Sequence, residues 1–455
     1  MIDQQPFSTM ALPDLIEIIP PAAPPAGVIA IPGSKSITNR ALILAALAEG
    51  QVTLEGALWS EDTQVMVECL RKLGFEIRVS PDPHEPANRS ILVQGRGIEA
   101  VRGGTEDVPL ELHVGNAGTA ARFLAAFVCL GQGIFRLSGV ARMHQRPQAA
   151  LFRALRELGY RVDATGGGDT LPAKIHGTGP QRGRCRVSIG QSSQFASALL
   201  LVAKQGGWTV EVEGENQDES PYVVMTSDMV RQFPGQGGVF RIEPDASSGS
   251  YFVAAARLFD QAGVSTNPVS GEVPVGKRGG SLADSVRVAF WPESGLQVDE
   301  QFPRVIAAGS VEISRSGDLG DSILTAMILA PFGRRSTRFT DLGRLRVQEC
   351  ERVQAMRTEL AKCGARVEER GDTLEIWPGP LHGAEIETYD DHRIAMCFAI
   401  LGLRVPGIRL KNPACVKKTF PNFFQKLAAP APSGLNIELR DGAGCVLDPK
   451  DLIAI

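Results

Sequence analysis

Cations, hydroxyls and amides open an apolar helix near the start of this chain. A short apolar strand (28–31) leads into the helix, and Lys35, Ser36 and Arg40 fall in its first turns. The first N–H groups of a helix have no partner within it, so a helix start attracts anions. The residues after Arg40 are mostly small and apolar, which predicts a buried helix that holds its cations in place. This segment predicts a site for an anionic small molecule.

The same pattern of small polar residues followed by an apolar, alanine-rich helix recurs along the chain. It stands at 35–48, 116–129, 192–203, 247–256, 320–330 and 391–400. The spacing is too long for a common solenoid repeat, but it fits a repeated βαβ-type unit with additional strands. Amphipathic helices are predicted between some of these copies, at 62–73 and 147–158.

Six such units predict an α/β (α+β) fold with two pseudo-equivalent domains of three units each. We expect a discontinuous first domain (1–33 with 244–428) and a second domain at 34–243. The Pro/Ser/Gly-rich stretch at 429–434 predicts a linker to a short appendage, so that 429–455 is set apart. The proline-rich N-terminal segment is expected to be loosely ordered as far as the strand at 28–31.

Composition excludes several classes of protein. The chain has 455 residues, too many for one core, and 43% of them are hydrophobic. A net charge of −4 argues against general binding to nucleic acid or to a membrane surface.

The eight cysteines form no CxxC pair and fit reduced core residues. With no apolar run of membrane-spanning length and no signal peptide, we expect a cytoplasmic protein. No HExxH motif or His/Cys cluster stands in the sequence, so no metal site is expected.

Many charged side chains lie at or near the polar helix openings. The cations are Lys35, Arg40, Arg122, Arg142, Arg352, Arg393 and Lys418, and the acids are Asp321 and Glu349. If the buried helices direct their N-termini at one cleft, helix dipoles and cations together make an anion-attracting site. The alternative is that each arginine pairs with a nearby acid on a solvated face.

Longer motifs resemble a known family, the enolpyruvyl transferases, and within it the branch that acts on shikimate 3-phosphate. The resemblance runs from about Ile29 to Leu427. The motifs that carry it lie at 32–40, 115–122, 142–147, 192–195, 245–248, 346–352, 391–396 and 418–421. The relatives that act on UDP-N-acetylglucosamine resemble the chain less at the motifs beginning with Arg142 and Asp391.

The resemblance implies two domains that close on the substrates like a clamp, each with three-fold pseudo-symmetry. It implies transfer of the enolpyruvyl group of phosphoenolpyruvate to the 5-hydroxyl of shikimate 3-phosphate, with release of phosphate. It also implies no metal and no organic cofactor. The expected partners are these two small molecules, and the expected assembly is a monomer.

The resemblance also assigns residues, motif by motif. For phosphoenolpyruvate the implied ligands are Lys35, Gly118, Arg142, Gln194, Arg352, Arg393 and Lys418. For the acceptor they are Lys35, Ser36, Arg40, Ser192, Ser193, Gln194, Tyr222, Asp321, Arg344 and Gln348. The implied catalytic residues are Asp321, Glu349 and Lys35, with Asp321 as the base for the attacking hydroxyl. Glu349, near Lys418 or His392, is the candidate for protonating the methylene carbon.

Several positions depart from the family pattern, mostly on the acceptor side. Gln348 stands where the family has a lysine that helps to hold the acceptor phosphate, and Arg344 stands where it has an asparagine. Glu219 replaces a serine, with Ser220 next to it, and Phe123 replaces a proline that follows Arg122. Losing a cation beside a phosphate costs about 1.5–3 kcal/mol. Either Arg344 and Ser220 compensate and the acceptor is unchanged, or the chain is a paralogue that acts on an unphosphorylated hydroxylated ring.

A catalytically silent binding protein on the same scaffold is a further hypothesis. It predicts damage to Asp321, Glu349 or Lys35, and the sequence retains all three.

Overall fold

Strands and helices alternate through most of the computed structural model, which describes residues 12–214, 220–260 and 285–454. The leading segment holds β1 (Leu15–Ile18) and β2 (Gly27–Ala30). The segment 32–243 holds α1 (Lys35–Leu47), β3 (Gln51–Leu58), α2 (Glu61–Lys72), β4 (Ile77–Pro81), β5 (Asn88–Gln94), β6 (Leu110–His113), α3 (Gly118–Cys129), β7 (Gln132–Ser138), α4 (Ala141–Gln145), α5 (Ala149–Glu157), β8 (Val162–Gly166), β9 (Thr170–Thr178), β10 (Gly183–Ser188), α6 (Ser193–Gly206), β11 (Trp208–Glu213), α7 (Ser220–Gln232) and β12 (Gly238–Arg241). The remainder holds α8 (Ala246–Phe259), β13 (Val286–Ala289), α9 (Phe302–Ala308), β14 (Glu312–Ser314), α10 (Ile323–Leu329), β15 (Thr337–Thr340), α11 (Arg352–Lys362), β16 (Val367–Arg370), β17 (Thr373–Ile376), β18 (Glu385–Ile386), α12 (His392–Gly402), β19 (Ile408–Lys411), α13 (Phe423–Ala428) and β20 (Leu439–Asp441). Short 3-10 turns include Leu342–Val347 and Pro413–Lys418.

A parallel pair of strands with a buried helix is the recurring unit of the described chain. In four copies the helix connects the two strands that pair: α3 joins β6 to β7, α6 joins β10 to β11, α10 joins β14 to β15, and α12 joins β18 to β19. In the other two copies the partners are exchanged, since β3 pairs with β12 and β13 pairs with β2. These exchanges occur because the chain leaves one unit after β2 and returns to it after β12.

The helices that were predicted to be buried are buried. In α12 every residue except Arg393 is buried, and in α1 every residue except Lys35 and Ser36. The small and apolar side chains explain this, because such a helix has no polar face to turn to solvent. Helices α1, α3 and α6 contact one another pairwise, and so do α8, α10 and α12, so each unit has three helices at its centre. The mixed α/β fold predicted from the sequence is confirmed.

Antiparallel strands extend these sheets. Strands β4 and β5 extend the β12–β3 pair, β8 and β9 extend β6–β7, and β16 and β17 extend β14–β15. The β18–β19 sheet is different, because its extra strands are β1 and β20, from the two ends of the described chain. Ile16 pairs with Asp441, and Ile18 with Leu439. The strand β1 lies within the segment that we expected to be loosely ordered.

The chain divides into two units, Pro32–Glu243 and the residues on either side of that segment. The sequence analysis placed the crossings at 33/34 and 243/244 and set 429–455 apart. In the structure the described tail belongs to the discontinuous unit. Leu435, Ile437 and Leu439 are buried, and the Ala454 amide donates to the Pro421 carbonyl at 2.8 Å. Composition suggested a linker, but the tail supplies β20, which pairs with β1 as the outer strand of that sheet.

The tail therefore contributes to stability, and Leu439 tests this. Its side chain is fully buried in a strand that pairs with β1. We expect Leu439→Ala to lower the free energy of unfolding by about 2–5 kcal/mol, because it leaves a cavity. Chemical denaturation monitored by tryptophan fluorescence measures the change. Val446→Ala, at a side chain that is 63% exposed, is the matched control. Equal stability of the two variants would show that the tail is not part of the core.

Within the residues that the structure describes, every helix is too short or too polar to cross a lipid bilayer.

Candidate active site

Several of the side chains predicted to bind ligands in the segment 32–243 lie at the starts of its buried helices. Lys35 and Ser36 open α1, and Gln194 stands in the first turn of α6, and all three keep partial exposure in otherwise buried helices. The Ser192 hydroxyl accepts from the Gln194 amide at 3.3 Å and so caps α6. The Gln194 side-chain amide donates to the Thr119 hydroxyl at 3.4 Å, which connects the starts of α6 and α3. Ser193 is buried next to this contact.

Lys35 has an acidic partner that the sequence analysis did not name. Its ammonium lies 3.4 Å from a carboxylate oxygen of Asp62, whose side chain is only 4% exposed. Asp62 stands in the first turn of α2, where acidic residues are common for reasons of helix stability alone. The position of Asp62 in the sequence therefore did not indicate the ion pair. The ion pair fixes the Lys35 ammonium near the start of α1.

The Arg40 side chain is buried and is not exposed at the protein surface. Its guanidinium donates to the Thr226 hydroxyl at 2.7 Å, to the Ser197 hydroxyl at 3.0 Å and to the Ser36 carbonyl at 2.9 Å. Burial lowers its pKa to about 10, so the side chain stays charged at neutral pH. The Tyr222 carbonyl accepts from Thr226 at 2.8 Å, which brings α7 into the same network. The proposed contact of Arg40 with the acceptor stays a prediction.

With Phe123 in place of the family's proline, α3 runs without interruption from Gly118 to Cys129. The Phe123 ring is fully buried, and the Arg40 guanidinium carbon lies 5.3 Å from its centroid. This cation–π contact gives Phe123 a role in seating Arg40. Glu219, another departure from the family pattern, lies outside the described residues.

Gly118 begins α3 directly above two arginines. A Cβ at this position would lie 2.6 Å from an Arg122 nitrogen and 2.7 Å from an Arg146 nitrogen, so any larger residue would displace these two guanidinium groups. Arg122 donates to the Gly118 carbonyl at 3.0 Å, and Arg146 to the Asn116 carbonyl at 3.2 Å. Arg142, which the sequence analysis did select, is exposed on α4 and contacts the Gln145 side chain at 3.2 Å.

In the discontinuous unit, Asp321 lies among three arginines just before α10. One carboxylate oxygen is 3.2 Å from Arg393 and 3.8 Å from Arg352, and the other is 3.3 Å from Arg315. Burial by itself would raise the pKa of Asp321, but the three guanidinium groups outweigh it and hold that pKa well below its usual range. Asp321 is therefore ionised at neutral pH, as a waiting base must be.

Arg352 is the centre of a second set of contacts in the same unit. Its side chain is 1% exposed and reaches Asp391 at 2.7 Å and Glu349 at 2.8 Å. The other oxygen of Glu349 lies 3.6 Å from the Lys418 ammonium. Burial opposes the charge on Arg352, but its acidic neighbours raise its pKa above the usual value. The structure thus brings Asp321, Glu349, Arg352, Arg393 and Lys418 together, as predicted.

Of the positions that depart from the family pattern, Gln348 contacts this cluster. Gln348 precedes Glu349, and its side-chain amide oxygen accepts from Arg352. Arg344 lies four residues earlier in the 3-10 turn Leu342–Val347 and is partly exposed.

The sequence analysis missed Arg315, Asp391 and Ser247 as members of this cluster. Arg315 follows β14 and is 3% exposed, and Ser247 accepts from Arg393 at 2.5 Å. Asp391 caps α12 by accepting from the Arg393 amide at 2.9 Å, while it also holds Arg352. Asp391 and Ser247 stood in motifs that were noted, but an acid or a serine at a helix start has an ordinary capping role. Arg315 carried no local signal.

Comparison with known proteins agrees with these motifs. The family model described as EPSP synthase (3-phosphoshikimate 1-carboxyvinyltransferase) matches residues 20–427. The 3-phosphoshikimate 1-carboxyvinyltransferase of Opitutus terrae is 38% identical over 455 aligned residues, with 92% of this chain and 98% of the relative covered. The protein of that name from Trichormus variabilis is 36% identical over 428 residues, with 88% and 95% covered.

Solved structures show the same fold at lower identity. An EPSP synthase from Acinetobacter baumannii aligns with a TM-score of 0.66 and 23% identity, covering 94% of this chain and all of the other. The enolpyruvyl transferase NikO from Streptomyces tendae aligns with a TM-score of 0.60 and 16% identity, covering 95% and 99%. Both solved structures share the fold of this chain. The family model and the similar sequences, however, are those of EPSP synthases, so the chain belongs to the EPSP synthase family.

Proposed function

We propose that this chain transfers the enolpyruvyl group of phosphoenolpyruvate to the 5-hydroxyl of shikimate 3-phosphate and releases phosphate. The observation that carries the proposal is the placement of the buried Asp321 carboxylate within 3.8 Å of Arg315, Arg352 and Arg393. A base that is surrounded by fixed cations suits a reaction between two polyanions. The family match and the names of the relatives supply the identity of the substrates.

The chemistry divides among the residues as follows. Asp321 takes the proton of the acceptor hydroxyl while that oxygen bonds to the central carbon of phosphoenolpyruvate. A second proton goes to the methylene carbon, and we assign it to the pair Glu349 and Lys418, which lie 3.6 Å apart. The same pair then takes back a proton from the methyl group as phosphate departs, which restores the double bond. None of these bond changes needs a redox step or an organic cofactor.

Arginine and lysine side chains have the geometry to hold both substrates. The planar guanidinium fork donates two bonds at once to a carboxylate or phosphate, which fits Arg393, Arg352 and Arg142 for phosphoenolpyruvate. Lys35 and Lys418 act as point charges. For the acceptor we propose Ser36, Arg40, Ser192, Ser193, Gln194, Tyr222, Asp321, Arg344 and Gln348, with Gly118 offering its amide to phosphoenolpyruvate.

A phosphate-release assay tests the choice of acceptor. The enzyme is incubated with phosphoenolpyruvate and either shikimate 3-phosphate or shikimate at equal concentrations. We expect rapid release with the phosphorylated ring and little with shikimate. Release with shikimate alone would instead support the paralogue reading, and no release with either would support a binding protein.

Arg344 is the proposed replacement for the family's phosphate-binding lysine. We expect Arg344→Ala to raise the KM of shikimate 3-phosphate about 10- to 100-fold, the equivalent of one charged hydrogen bond, with the KM of phosphoenolpyruvate nearly unchanged. Steady-state kinetics with each substrate varied in turn give both constants.

Two further variants sharpen this test. Arg334→Ala removes an exposed arginine of the same unit and should leave both KM values unchanged. Adding Gln348→Lys to Arg344→Ala returns the family's cation and should recover most of the lost acceptor affinity. Equal effects of Arg344→Ala on both substrates would contradict the assignment.

We also propose a cytoplasmic location. It is supported by the eight cysteines, which are all free thiols, seven of them wholly or partly buried. That the chain acts as a monomer stays a prediction from the sequence.

A further inference from the structure

The position of Arg393 depends on the starts of two different helices. One of its terminal nitrogens donates to the Ser247 hydroxyl of α8 at 2.5 Å, and the other lies 3.2 Å from the Asp321 carboxylate just before α10. The guanidinium spans the two helix starts. Any change in the spacing of these starts would therefore move Arg393 relative to Asp321.

One short segment contacts both starts. The Gln297 side chain accepts from the Ala246 amide at 3.0 Å and donates to the Pro244 carbonyl at 2.8 Å, at the start of α8. Two residues later, one oxygen of Asp299 accepts from the Gly320 amide at 2.8 Å, the Ser322 amide at 3.2 Å and the Ser322 hydroxyl at 2.5 Å. Gly320 and Ser322 are the neighbours of Asp321 on either side, so Asp299 fixes the backbone of the proposed base.

Burial and close packing show that this arrangement is tightly built. Gln297 is 8% exposed and Asp299 is 5% exposed. A Cβ on Gly320 would lie 2.8 Å from the Val298 side chain and 3.2 Å from both Asp299 oxygens, so the segment packs closely against residue 320.

The charge of Asp299 is held differently from that of Asp321. Within the described residues no cation forms an ion pair with Asp299, and burial raises its pKa. Its hydrogen bonds go to backbone amides and a hydroxyl, which fix geometry. Asp321, by contrast, faces three arginines.

We propose that Gln297 and Asp299 form a brace that sets the distance between Arg393 and Asp321, and so act as positioning residues for the reaction. Neither side chain is assigned a contact with substrate. The proposal rests on the proposed function for the roles of Arg393 and Asp321, but the brace itself is a structural claim with its own readout.

Three variants separate positioning from charge. Asp299→Ala removes the acceptor and Gln297→Met removes both contacts at α8, and each is expected to lower kcat/KM for phosphoenolpyruvate about 10- to 100-fold. Asp299→Asn keeps an oxygen that can accept from the same amides. Its kcat/KM should stay within about threefold of the parent, because the proposed role depends on these hydrogen bonds and not on the negative charge. Glu293→Ala, at an exposed residue before the brace, is the control and should match the parent.

Two further measurements exclude a general loss of structure. Hydrogen–deuterium exchange followed by mass spectrometry should show faster exchange at 244–250 and at 319–325 in Gln297→Met, although its direct contacts are only at the first of these. In an Arg393→Lys background, Gln297→Met should cause little further loss of kcat/KM, since the brace acts through Arg393.

The outcomes are distinct. The brace would be overturned if hydrogen exchange in Gln297→Met increased only at 244–250. It would also be overturned if Gln297→Met lowered kcat/KM by the same factor in the Arg393→Lys background as in the parent. Should Asp299→Ala fail to fold, the Gln297→Met and Asp299→Asn results decide the question. A parent enzyme that releases no phosphate would refute the proposed function, while the exchange data would still test the brace.

Discussion

Asp321→Asn is expected to lower kcat for phosphate release by about 10²- to 10⁴-fold, the usual contribution of a general base. Asparagine keeps the size of the side chain and one acceptor oxygen, which can face either Arg393 or Arg315, so substrate binding should change less than turnover. Measurement of kcat and of both KM values by phosphate release provides the comparison. A variant with unchanged kcat and raised KM values would make Asp321 a binding residue.

The low pKa of Asp321 adds a pH criterion. Because three arginines lower that pKa, the carboxylate stays ionised throughout the range from pH 8 to pH 5 and is protonated only well below it. The ratio of the parent rate to the Asp321→Asn rate should therefore be constant over this range. A ratio that falls toward pH 5 would mean that Asp321 gains a proton there. Glu293→Gln, at an exposed carboxylate, serves as the control.

Arg352→Met is expected to be the most destabilising of the substitutions considered, at about 3–5 kcal/mol of unfolding free energy. Arg352 is 1% exposed and its nearest acid, Asp391, is fully buried at 2.7 Å. Methionine fills similar volume but leaves the Asp391 charge without its cation. Denaturant unfolding measures the loss, and phosphate release should fall at the same time.

A double variant separates the ion pair from simple packing. Asn at position 391 can still cap α12, so Arg352→Met with Asp391→Asn should recover a substantial part of the stability lost in the single variant. Arg352→Lys keeps the charge without the two-pronged fork and should be intermediate. If the double variant is as unstable as the sum of the two single variants, the buried pair does not explain the stability.

The local pattern of the chain was enough to locate the six central helices. Polar openings such as Lys35-Ser36 and Asp391-His392-Arg393, each followed by small apolar residues, lie at the starts of α1 and α12 as expected. Helix formation and burial depend on neighbours within a few residues, and those are visible in the sequence. The grouping of Asp321, Glu349, Arg352, Arg393 and Lys418 was also expected, although it came from the family motifs.

Contacts between distant segments were not visible in this way. The tail was taken for an appendage, yet Leu439 pairs with Ile18 across almost the whole chain. Arg40 was expected to be held in a buried helix, but its partners Thr226 and Ser197, far away in the sequence, were not foreseen. A side chain's type states what it can bind, but not which remote group the fold will bring to it.

The sequence by itself thus determined the repeated helical units, the mixed α/β fold and the family, because periodicity and motif spacing are properties of short segments. Only the tertiary structure decided that Asp321 faces Arg315, that Asp391 neutralises Arg352 and that Asp299 holds the backbone around the base. These pairings join residues on separate elements, and their energies depend on burial and on distances of a few ångströms that exist only once the chain has folded.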